Sequence, residues 1–165
     1  MIACYYPNVK GPALFSFGGG LNFGEAWPIS CGLQKRAAGA TKKEVIKEIR
    51  SVKDTLNHIR KHATYLKSYS GVNNTYAWWA SIMDLRLENA LLDLKIHIFL
   101  AQGTNDMMAL PLSARKLNED FIKNDNTNLY YKEYKGYDHE YKDEKNESHL
   151  VDVIVEGIGW MLERN

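Results

Sequence analysis

Cysteine is scarce in this 165-residue chain, with Cys4 and Cys31 the only two. Two thiols make neither a disulfide framework nor a zinc pattern, so stability must come from a packed core. A surplus of charge is also lacking. Lys and Arg number 21 against 20 Asp and Glu, and the net charge of +1 gives no overall field to draw in nucleic acid. No apolar run approaches the roughly 20 residues that span a bilayer as a helix. Met1 to Tyr6 carries neither the basic nor the apolar region of a secretion signal. A membrane or nucleic-acid partner is therefore not expected. Apolar material is plentiful, at 45% hydrophobic and 12% aromatic residues, which favours an ordered core over disorder. There is no internal repeat and no low-complexity tract.

Strand and helix patterns alternate. Val9–Phe17 is a short apolar run closed by Gly18-Gly19-Gly20, read as a buried strand and its exit turn. Lys95–Ala101, closed by Gly103, and Leu129–Tyr134, closed by Gly136, are the next two strand candidates. All three are rich in β-branched or aromatic residues. Between them lie helices. Thr41 and Glu44 form a capping box, and behind it Val45, Ile49, Val52, Leu56, Ile59, Ala63 and Leu66 recur every three or four residues as one apolar stripe. Pro111 suits the first turn of a helix whose Ala114, Leu117 and Phe121 share a face. A last helix over 149–163 is apolar on much of its circumference and should pack on a sheet. The order predicts an α/β fold with a parallel sheet covered on both faces.

Residues 33–94 interrupt that rhythm with a mostly helical, polar insertion, followed by a βαβα part over 95–165. Trp78 and Trp79 within it are read as core. Pro28 argues against a continuous helix through Phe23-Gly24-Glu25-Ala26-Trp27-Pro28, which removes a dinucleotide-binding reading of the three glycines. An H-G-G-G oxyanion loop would need His where Phe17 stands. No cofactor is implied. The acidic run Asp138–Glu144 lacks regular metal-ligand spacing, and no metal is expected.

Two ionisable residues follow strands, where open parallel sheets collect functional groups. Asp106 closes Gly103-Thr104-Asn105-Asp106 after the second, and His139 closes Gly136-Tyr137-Asp138-His139 after the third. Either alone has a simpler role, as a helix-capping or turn residue. Together they suit a carboxylate that orients an imidazole for proton transfer. His58, His62, His97 and His149 have no such context.

Residues 93–162, and more loosely 2–32, resemble the C-terminal part of an α/β-hydrolase of the dienelactone-hydrolase and prolyl-oligopeptidase-like group. The likeness rests on Gly103-Thr104-Asn105-Asp106, Leu110-Pro111-Leu112-Ser113-Ala114-Arg115, the Asp138-His139 pair and Gly159-Trp160-Met161 in that order. It implies a Ser-Asp-His serine hydrolase in which Asp106 is the acid and His139 the base. Its substrate would be a small-molecule or peptide acyl compound cleaved at an ester, thioester or peptide bond. The nucleophile is the gap. No G-x-S-x-G elbow occurs, and the nearest mimics are Leu14-Phe15-Ser16-Phe17-Gly18 and Pro28-Ile29-Ser30-Cys31-Gly32. Leu14 is too large for the elbow, and no strand separates Ser16 from the acid's strand. The Val9–Phe17 strand thus reads as the sixth of the family, with Ile2–Tyr6 ending the elbow's helix. The N-terminal half of the fold, with its nucleophile, is then the expected partner of this chain, and Ser16 should point away from His139. The alternative from another class is an inactive fragment or a binding or scaffold protein of the same fold.

Overall fold

The computed structural model describes residues 10–68 and 74–164. The expected end of a helix before Val9, Cys4, and most of the Ser68–Asn74 loop lie outside these. In chain order the elements are β1 (Ala13–Phe15), α1 (Phe23–Ala37), α2 (Lys42–Lys61), α3 (Tyr76–Met83), α4 (Leu87–Leu92), β2 (Ile98–Gly103), α5 (Pro111–Lys123), β3 (Leu129–Tyr134) and α6 (Leu150–Leu162). They fall into two compact units. One comprises residues up to Leu21 together with Leu87 onward, and the other is Asn22–Arg86.

The first unit is a three-stranded parallel sheet, ordered β1-β2-β3. Ala13, Leu14 and Phe15 pair with Phe99, Leu100 and Ala101, and Ile98 to Gly103 pair with Leu129 to Tyr134. Every residue of β2 is buried, as expected of a central parallel strand covered on both faces. Side chains alternate across it. Ile98 and Leu100 join Leu91, Leu94, Ala114, Leu117 and Phe121 on one face. Phe99 and Ala101 join Tyr141 and Val153 on the other. Thus α5 covers one side and α6 the other, and the expected α/β sheet is present with its strands in the expected order.

Two of the three strands are shorter or shifted. β1 keeps only Ala13–Phe15, and pairing in β2 starts at Ile98 rather than Lys95. The Asn128 amide caps the Leu94 and Ile96 carbonyls at 2.8 Å each, so this stretch is a bonded loop before the ladder begins. The outer stripe of α6 is also not what its composition suggests. Val151, Val155, Ile158 and Leu162 are exposed, and only Val153 and Gly157 are buried.

The second unit is three helices around Val52, Leu56, Ile59, Tyr76 and Met83. The Thr41–Glu44 box caps α2 as read from the sequence. The apolar stripe was carried too far, because α2 ends at Lys61 and Leu66 lies exposed beyond it. Pro28 does not prevent a helix either. It sits inside α1, where its absent N–H would have met the Gly24 carbonyl. A reciprocal cap compensates: the Glu25 amide donates to Asn22 Oδ1 at 2.9 Å and the Asn22 amide to Glu25 Oε2 at 3.0 Å. Gly32 lets α1 approach α2, since a Cβ there would lie 2.8 Å from Ile49. Trp79 packs against this core, stacked on Trp27 at 5.7 Å between ring centres. Trp78 instead is 44% exposed, so only one of the pair is core.

Candidate functional site

The carboxyl ends of β2 and β3 carry the two singled-out residues, and their turns are stitched together. The Thr104 amide donates to the Tyr134 carbonyl at 3.0 Å and the Asn105 amide to the Tyr137 carbonyl at 2.9 Å. In return the Gly136 amide donates to Thr104 Oγ1 at 2.8 Å, and the Asn105 side chain to the Gly136 carbonyl at 3.1 Å. Gly103 allows this closeness. A Cβ there would sit 2.3 Å from the Tyr137 carbonyl oxygen, inside any tolerable contact.

Asp106 follows at the base of the turn, 2% exposed. Its Oδ1 accepts from the Met108 amide at 2.8 Å and the Ala109 amide at 2.9 Å. Its Oδ2 accepts from Gln102 Nε2 and lies 3.0 Å from His139 Nδ1. A buried carboxylate with four hydrogen-bonding neighbours has a fixed plane and a satisfied charge. The His139 side chain is 38% exposed. With Nδ1 on the carboxylate, Nε2 carries the lone pair of the neutral ring and has no partner among the described residues. One imidazole nitrogen is thus held and the other left without a partner among the described residues.

The segment bearing His139 is fixed by its backbone. Asp138 Oδ1 accepts from the Glu140 and Lys142 amides at 2.9 Å each, an Asx turn. Tyr141 follows in the left-handed region, at φ 57°. Its buried hydroxyl donates to the Ala101 carbonyl at 2.8 Å and accepts from the Ser16 amide at 3.0 Å. Burial raises the Tyr141 phenol above its ordinary value. Ser16, at φ 47°, donates its hydroxyl to the main-chain carbonyl of His139 at 3.0 Å. The expectation that Ser16 points away from His139 is corrected here: the hydroxyl meets the residue, but at its backbone. Phe15, Ser16, His139, Glu140, Tyr141, Lys142, Ser148 and Leu150 line an open cleft of about 440 Å³.

Downstream, Asp143, Glu147 and His149 bring ligand-type atoms within 4.8 Å of one another. Two of them already hold the loop. Asp143 Oδ1 accepts from the Lys145 and Glu147 amides at 2.8 and 3.0 Å, and Asp143 Oδ2 lies 3.2 Å from His149 Nε2. The His149 ring stacks on Tyr137 at 4.6 Å. His149 is therefore a loop clasp, and His97 packs edge-on against Trp160. Sequence reading overlooked Gln102 and Tyr141. A lone amide inside the apolar β2 run was the available signal for the first, and nothing local marks the second.

Compared with family models and with curated proteins, the chain gives no match.

Proposed function

We propose that this chain is the acid- and base-bearing C-terminal portion of a serine hydrolase of the α/β-hydrolase type. Asp106 and His139 would be two members of a Ser-Asp-His triad acting on ester, thioester or peptide bonds. The observation that carries the reading is the pair itself. A carboxylate 2% exposed lies 3.0 Å from one ring nitrogen of a half-buried histidine whose other nitrogen has no hydrogen-bond partner among the described residues. Such a carboxylate fixes the tautomer and stabilises the imidazolium that forms when Nε2 takes a proton from a hydroxyl.

The hydroxyl itself is assigned to a nucleophile outside this chain. Ser16 has the left-handed backbone of a strained turn, yet its proton is directed at the His139 carbonyl rather than at the ring. Leu14 stands two residues before it, where the elbow requires a small residue. The cleft at Phe15, His139 and Leu150 is the place where the reacting groups would meet. A catalytically silent protein of the same fold remains the second reading, favoured by the missing elbow.

Labelling with a fluorophosphonate probe tests the proposal. The chain alone should show no labelling above background and no ester hydrolysis. Supplying the N-terminal half of the fold, joined or as a separate chain, should produce labelling and turnover, both lost in His139→Ala. Stoichiometric labelling of the chain alone that disappears in Ser16→Ala would overturn the assignment of the nucleophile. Turnover unaffected by His139→Ala would overturn the triad.

A further inference from the structure

Gln102 is the least expected residue of β2. It is a fully buried amide, 0% exposed, in a strand otherwise of apolar residues and glycine. Its Nε2 lies 3.0 Å from Asp106 Oδ2, 2.8 Å from the Ala109 carbonyl and 3.3 Å from the Gly103 carbonyl. Three acceptors around one atom identify that atom as nitrogen. The flipped amide would set oxygen against a carboxylate and two carbonyls. The other end has no compensation among the described residues, where Gln102 Oε1 is buried without a partner. A leucine or methionine would fill this volume without leaving a polar atom desolvated. Core filling therefore does not account for glutamine here.

We infer that Gln102 is a positioning residue for the Asp106–His139 pair, an inference that rests on the functional reading above. The Met108 and Ala109 amides hold Oδ1, and by themselves would let the carboxylate swing about that end. Gln102 anchors Oδ2, the oxygen facing His139 Nδ1, and so fixes where the ring finds its acceptor. Its second bond, to the Ala109 carbonyl, ties the same amide to the backbone that holds Oδ1. As a neutral donor it shares the negative charge of Oδ2 without adding a cation that would compete with imidazolium.

The test is solution NMR on the nitrogen-15-labelled full chain. The wild-type chain should show a His139 Nδ1–H signal protected from exchange with water, and Asp106→Ala should abolish that protection. Gln102→Met keeps length and volume but cannot donate. It should retain the amide spectrum of β2 and β3 while His139 Nδ1–H exchanges about tenfold faster, the worth of roughly one hydrogen bond. Unchanged exchange in a folded Gln102→Met chain overturns the positioning role and leaves the pair standing. Absence of an Asp106-dependent His139 signal in the wild-type chain overturns the pair, and Gln102's role falls with it. Should Gln102→Met not fold, the wild-type Gln102 side-chain amide decides. One of its protons should be protected and should lose protection in Asp106→Ala, and an amide already exchanging freely refutes the inference.

Discussion

Replacing Asp106 by asparagine removes a charge and turns one acceptor into a donor, with little change of shape. The Met108 and Ala109 amides both point at Oδ1, so the new side-chain oxygen must stay there and the new NH2 must take the place of Oδ2. It then faces two former donors, Gln102 Nε2 and His139 Nδ1, each 3.0 Å away. Gln102 keeps the Ala109 carbonyl at 2.8 Å and loses only part of its bonding. The histidine can answer by moving its proton to Nε2, so that Nδ1 accepts. One charge-assisted bond is exchanged for a neutral one and one donor pair is left facing, a loss of about 1–3 kcal/mol. Urea denaturation should show that loss as a lower midpoint at unchanged slope. Nitrogen-15 spectra at a pH of about 8, above the ordinary histidine range, should show the His139 tautomer switched from Nδ1–H to Nε2–H. A ring with its proton on Nε2 has no lone pair at that nitrogen to offer a hydroxyl, so the variant would also fail as a base. An unswitched tautomer, or a stability within about 0.5 kcal/mol of wild type, would refute the geometric reasoning.

Other expectations follow from other contacts. Gly103→Ala sets a Cβ 2.3 Å from the Tyr137 carbonyl oxygen, and overpacking against backbone should cost about 1–3 kcal/mol by denaturation and abolish the His139 Nδ1–H signal. The Arg60 hydrogen bond holds the Asp84 carboxyl below its ordinary value, so the pair stabilises above the ordinary carboxylate range and the gain is lost as pH falls through the lowered value. Because both side chains are well exposed, 40% and 55%, Asp84→Asn should cost under about 1 kcal/mol at neutral pH and nothing in acid. Burial raises the phenols of Tyr131, Tyr134 and Tyr141, so stability should be full below the ordinary tyrosine value of about 10 and fall as pH rises above it. Tyr141→Phe should flatten that fall while costing about 1–2 kcal/mol at neutral pH, both read from denaturation across pH.

What was legible in the sequence was what is decided locally. Thr41 and Glu44 are three residues apart and cap α2 whatever surrounds them. The aromatic run Leu129–Tyr134 forms β3 at its expected bounds, with Asn128 before it and Gly136 after. Asp106 and His139 were legible because each follows a strand at a turn, a position fixed by parallel topology. Pro28 misled because a breaker was weighed without the Asn22–Glu25 cap that starts the same helix. The roles of Gln102 and Tyr141 depend on where turns from distant strands converge. The Tyr141 hydroxyl reaches Ala101, 40 positions earlier, and no local pattern encodes that. Ser16 was misplaced for the same reason, since its partner is a backbone carbonyl 123 positions away.

The stitched turns after β2 and β3 make the pair a gauge of folding. Asp106 and His139 are 33 positions apart and reach each other only through two strands in register from Ile98↔Leu129 to Gly103↔Tyr134. Until that ladder closes, loop entropy keeps the imidazole and carboxylate apart. A slip of one residue would carry His139 about 3.3 Å along the sheet and send every β3 side chain to the opposite face. Only the correct register brings nitrogen to oxygen at 3.0 Å. During refolding, the His139 imidazole N–H should therefore gain protection together with the β2–β3 amides, and not before them.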